Sequence, residues 1–77
     1  MVTNEKIIQL IAEATKIDPA KIKADSHFID DLNLDSLDMV ELMMKMEDEF
    51  DIEIAESDTD SLKTVSDVVN YINTKQS

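Results

Sequence analysis

A chain of 77 residues with net charge −11, 43% apolar content and no cysteine can enclose one core, and has neither disulfides nor thiolate ligands to brace it. No glycine and a single proline leave few of the breakers that tight β-hairpins need, so packed helices are the remaining route to a stable fold. The acidic balance repels phosphate backbones, and no apolar run approaches the ~20 residues needed to cross a bilayer.

Thr3 is placed to cap a first helix over Asn4–Thr15, in which Ile7, Ile8, Leu10, Ile11 and Ala14 share one face. Asp18-Pro19 interrupts it, because proline disfavours helical geometry in the preceding residue and donates no backbone hydrogen bond. A long connection follows to about Asp35, with a helical turn near Ala20 and with Ile22, Phe28, Ile29 and Leu32 available to pin it to the core. Asp35 then caps a second helix over Ser36–Phe50. Between Asp51 and Asp60, Ile52 and Ile54 alternate with acids, which suits either a short strand or a turn of helix near Glu56–Ser61. Thr64 begins the last helix, with Asp67 as its capping-box partner and Val65, Val68, Val69 and Ile72 as its inward stripe. Residues 1–77 therefore read as a single all-α domain, a four-helix bundle of three longer helices and one short one with a long ordered loop between helices 1 and 2.

The charge is unevenly placed. Residues 30–60 hold 13 Asp or Glu and one lysine, Lys45, for a local net charge of −12, whereas the remainder is net +1. One part of the molecule is thus a negative surface that steers basic proteins toward itself and turns nucleic acid away. The amino terminus has neither the basic nor the apolar region of a signal peptide, which points to a soluble, cytoplasmic protein with no membrane insertion.

The second helix has two apolar sectors. With each position advancing ~100°, Met39, Leu42, Met43, Met46 and Phe50 fall on one side, the width of an ordinary core-facing stripe. On the other lie Ser36, Leu37, Val40, Glu41, Met44, Glu47 and Asp48, three apolar side chains among acids and a hydroxyl. Two readings compete: Leu37, Val40 and Met44 broaden the core contact under the long loop, or they form a docking surface in which apolar groups supply burial and acids supply steering and register.

Residues 35–42 read Asp-Ser-Leu-Asp-Met-Val-Glu-Leu. This stretch resembles the attachment motif of acyl carrier proteins, and the likeness extends through the acidic helix, Phe50, Glu53-Ile54 and Thr64-Val65 over nearly the whole chain. The resemblance, to the free-standing carriers of bacterial and organellar type II fatty-acid synthesis, implies that Ser36 receives 4'-phosphopantetheine covalently from coenzyme A. A separate phosphopantetheinyl transferase runs that reaction, and Ser36 is its substrate rather than a catalyst. The sole histidine, His27, lies in the preceding loop with no oxyanion site evident, so the chain reads as a non-enzyme. The resemblance further implies a monomer whose arm carries acyl chains as thioesters between fatty-acid-synthesis enzymes, partly sheltering them between helices. Leu37, Val40, Glu41, Met44, Glu47 and Asp48 match the face that meets basic patches on those enzymes, and Asp35 and Asp38 are assigned to the transferase and other partners. Two positions depart from the family pattern: Asn33 where glycine is common and Ala55 where proline is common.

Other readings are weaker. Asp31, Asn33 and Asp35 imitate the start of an EF-hand, but Ser36 stands where its glycine belongs and Leu42 where its terminal glutamate belongs. No dedicated metal site is expected; Asp30, Asp31, Asp35 and Asp38, or the acids of Glu47–Glu53, offer only weak cation relief. His27 reads as a solvated loop residue. A carrier for a polyketide or specialised lipid pathway, and an unmodified acidic interaction domain, remain the alternatives.

Overall fold

The computed structural model describes residues 1–76, and the regular elements among them are helices. The first helix, α1 (Asn4–Thr15), starts where the Lys6 N–H donates to Thr3 Oγ1 at 3.3 Å, as its sequence predicts. It ends at Lys16 in the left-handed region, whose N–H closes the helix on Ala12 O. A single 3₁₀ turn at Pro19–Lys21 follows, fastened by the Ala20 N–H on Asp18 Oδ1 at 2.9 Å. Then come α2 (Ser36–Phe50), the short α3 (Glu56–Thr59) and α4 (Val65–Gln76). No strand forms at Ile52–Ile54, so the helical turn near Glu56 is the alternative realised. Thr64 and Asp67 complete a reciprocal capping box, each backbone N–H donating to the other's side-chain oxygen at 3.2 Å.

The core lies between α1, α2 and α4, which present Ile7 and Ile11, Leu42 and Met46, and Val65, Val68 and Ile72 to one another. Helix α2 runs antiparallel to α1, and the ion pairs Lys6–Glu49 at 3.1 Å and Lys45–Glu13 at 3.8 Å bridge their outer edges. Such exposed pairs contribute at most about 1 kcal/mol each. Burial of the two facing stripes is the larger effect. The start of the chain is tied to its far end: the Val2 N–H donates to Asn73 Oδ1 at 2.7 Å and Asn73 Nδ2 donates to Val2 O at 3.1 Å.

The long connection between α1 and α2 is ordered by backbone bonds to the start of α4. Phe28 N–H donates to Lys63 O at 2.9 Å, Ser66 N–H donates to Ala24 O at 2.9 Å, and His27 and Thr64 form an isolated antiparallel bridge. Ile22, Phe28 and Leu32 are buried as expected, but Ile29 is 55% exposed and does not pin the loop. The reason is local: the N–H groups of Asp31 and Leu32 both donate to His27 O, winding residues 27–32 into a helix-like turn. In such a turn residues four apart share a side, so Phe28 and Leu32 face inward and Ile29 faces out. Leu34 takes the missing place in the core.

Asn33 has φ 57, the left-handed geometry expected of a residue standing where the family prefers glycine. Ala55, the other departure, has φ −63 and ψ 139. That φ lies within the range a pyrrolidine ring enforces. Ala55→Pro is therefore expected to stabilise the fold by about 0.4–1 kcal/mol through a less free unfolded chain. Thermal denaturation should show a melting temperature a few degrees higher, and a lower one would mean that the Ile54 backbone cannot accommodate the ring.

Candidate functional site

Ser36 is the first residue of α2, and its side chain is exposed. The helix start is built by a capping box between two acids: Asp38 N–H donates to Asp35 Oδ1 at 2.9 Å and Asp35 N–H donates to Asp38 Oδ2 at 3.2 Å. Met39 N–H already reaches Asp35 O at 3.0 Å. Of the amide groups that a helix start leaves without a carbonyl, those of Ser36 and Leu37 are the two the box does not use. They lie at the positive end of the α2 dipole, beside the exposed hydroxyl. Among the described residues no side chain hydrogen-bonds that hydroxyl, so it has no built-in base. Asp35 and Asp38 thus hold the helix start, a role the sequence showed only in part, since Asp35 alone was legible as a cap.

The mixed face of α2 resolves residue by residue. Leu37, Val40 and Met44 are 74%, 54% and 60% exposed, which excludes the reading in which they merely broaden the core. Glu41 and Asp48 are also exposed. Glu47 differs: it is half-buried, and its Oε2 accepts the Ile54 N–H at 3.0 Å, holding the segment that leads into α3. Lys45 is drawn toward α1 by Glu13. The opposite sector packs as predicted, with Met39, Leu42, Met43 and Met46 buried and Phe50 half-buried at its end.

Beside this face a cleft of about 710 Å³ opens between the long loop, α2 and α3. Phe28, Met39, Met43 and Leu62 are buried and form its floor, while the exposed Ile29, Val40 and Met44 form its rim. Ser36 lines the same cleft, as do Ile54 and, from α3, Glu56 and Thr59. The sequence motif pointed to Ser36 and to the outer face of α2, but not to this enclosure. Ile54 and Leu62 lie in an acidic, irregular stretch with no periodic signal, and Phe28 reads from sequence only as a core residue. His27 is half-buried at the edge of the cleft, with its Nδ1 accepting the Asp30 N–H at 3.4 Å, so it is more enclosed than a solvated loop residue. Among the described residues no three His, Asp or Glu side chains converge on a common point that could hold a metal ion.

Residues 5–72 match the family described as the phosphopantetheine attachment site. The chain is 51% identical to the acyl carrier protein of Bdellovibrio bacteriovorus over 75 residues, covering 97% of this chain and 96% of that one. The chain belongs to the acyl carrier protein family. It is also similar to the acyl carrier protein of Clostridium acetobutylicum, at 52% identity over 68 residues and 88% of each chain. As an acyl carrier protein it is a carrier of acyl chains rather than a catalyst, and its prosthetic group is 4'-phosphopantetheine. The residues fit such a group: an exposed hydroxyl, two free helix-start amides suited to a phosphodiester, and an apolar-floored cleft alongside for a carried chain. No helix among the described residues is long and apolar enough to cross a membrane.

Proposed function

We propose that Ser36 is the attachment point of the arm and that the 77-residue chain acts as one acyl-carrier domain, a cytoplasmic monomer shuttling acyl chains between fatty-acid-synthesis enzymes. The observation that carries this reading is the exposed Ser36 hydroxyl at the start of α2, lining the apolar-floored cleft. When bound, the arm supplies the thiol that forms a thioester with the acyl chain, since this chain has no cysteine. The transfer would join Ser36 Oγ to the phosphopantetheine phosphorus as the pyrophosphate P–O bond of coenzyme A breaks and adenosine 3',5'-bisphosphate leaves, the hydroxyl proton passing to the transferase because among the described residues no side chain hydrogen-bonds that hydroxyl. With the arm attached, the Ser36 and Leu37 amides would offer the phosphodiester hydrogen-bond donors at the positive end of the α2 dipole, which would offset the repulsion from Asp35 and Asp38. Met39 and Met43, flexible and polarisable, let the cleft floor adapt to chains of different length.

Docking falls to the exposed side chains of α2. Leu37, Val40 and Met44 supply apolar contact, and Glu41 and Asp48 supply charge for basic patches on the transferase and the synthetic enzymes. Asp35, Asp38 and Glu47 add to the negative potential while their carboxylates also accept backbone N–H groups. Intact mass tests the attachment. After incubation with coenzyme A, Mg²⁺ and a broad-specificity phosphopantetheinyl transferase, the wild-type chain should gain the mass of one arm and Ser36→Ala none. An unmodified wild type, or an equally modified Ser36→Ala, would overturn the assignment.

A further inference from the structure

We infer that Tyr71 and Asp58 are positioning residues that set the length of acyl chain the cleft accommodates, an inference that rests on the proposal that the cleft shelters the cargo. Helix α3 supplies Glu56 and Thr59 to the cleft wall, yet it is only four residues long. No residue of α3 is buried, and its N-cap, Ala55, offers no side-chain hydrogen bond. A helix that short has no stability of its own. What holds it in place is its attachment to the rest of the molecule. On the approach side the Ile54 N–H is held by Glu47, and on the exit side Leu62 is buried. Between those points, within α3 itself, the side-chain attachment to another element among the described residues is the hydrogen bond from Tyr71 Oη to Asp58 Oδ2 at 2.8 Å.

The two ends of this bond differ in rigidity. Tyr71 belongs to α4, whose Val68 and Ile72 are fully buried, and its ring packs against the core with the Lys75 ammonium 5.4 Å from the ring centroid. Asp58 belongs to the segment without a core of its own. The phenol is therefore the fixed end and the carboxylate the movable one, joined by a charge-assisted bond of the stronger kind. Glu56, Asp58 and Asp60 crowd like charge into this segment, and Glu47 lines the same cleft as Glu56 and Asp60, so a wall released from Tyr71 is pushed outward. An outward wall deepens the space available to long chains and leaves short ones in poor contact.

The test loads holo protein with acyl chains from butyryl to dodecanoyl and reads the gain in melting temperature over the unacylated holo form of the same variant. Tyr71→Phe and Asp58→Ala are each expected to move the best-stabilised length to longer chains and to lose most of the gain from the shortest. Asp58→Asn, which keeps an acceptor oxygen, should retain the wild-type length. A merely structural bond would lower every melting temperature and leave the best length where it was, and that result overturns the inference alone. A wild type that gains nothing from any chain overturns the sheltering proposal as well, so the two failures are distinguishable.

Discussion

Phe28→Ala is expected to lower the melting temperature by roughly 15–30 °C, corresponding to a loss of about 3–5 kcal/mol. The side chain is 1% exposed, so its removal leaves a cavity with little chance of collapse. Its backbone is held from both sides, with its N–H on Lys63 O at 2.9 Å and its carbonyl accepting from Leu34 N–H at 3.0 Å, which limits relaxation further. A domain of this size has on the order of 4–12 kcal/mol of stability in total. The loss is therefore a large fraction of the total, and thermal melts followed by far-UV circular dichroism would show it. Ile29→Ala, one residue on, is the control: its side chain is 55% exposed, and the expected change is within about 0.5 kcal/mol. Equal effects at the two positions would mean that the turn at residues 27–32 is wound differently.

The second large effect concerns encounter with partners. Reversing charge at Glu41 and Asp48 together, as Glu41→Lys with Asp48→Lys, should slow association with a phosphopantetheinyl transferase by about 10–100-fold at low salt. Both side chains are exposed, so the fold should be unaffected. The deficit should shrink as salt is raised, because the Debye length falls from ~10 Å at 0.1 M to ~3 Å at 1 M. Stopped-flow association rates at two salt concentrations give the answer, and an unchanged rate at low salt would remove these two acids from the docking surface. Glu47 is unsuited to the same experiment. Its carboxylate holds the Ile54 N–H, so a substitution there alters the cleft wall and the charge together.

Helices α1, α2 and α4 were legible in the sequence because each rests on local information, whereas α3 lay in a stretch open to a strand or a helical turn. Asp18-Pro19 stops one segment, Asp35 and Thr64 begin others, and the stripes of α2 and α4 repeat at helical spacing. The proposed attachment at Ser36 rests on a short motif whose residues are contiguous. The cleft was not legible, because its lining comes from three separate segments and only folding brings Phe28, Met43 and Ile54 together. Ile29 was misplaced for a related reason: hydropathy says that a side chain prefers burial, not which way an irregular turn directs it. The bonds of Glu47 to Ile54 and Tyr71 to Asp58 span 7 and 13 residues, and no pattern in either stretch signals them. Tyr71 carries no sequence signal beyond that of a helix residue near the end of the chain.

The paired bonds between Val2 and Asn73 make the fold nearly circular. Bundles are usually thought of as a line of helices read from first to last, but here the line returns to its origin. Helix order along the backbone and helix order in space are consequently separable. A short bridge between the two ends could close the backbone into a ring, and the ring could be opened at an exposed connection without altering which side chains meet in the core. What the architecture demands is the arrangement of α1, α2 and α4 around one another, not the position at which the polypeptide happens to start.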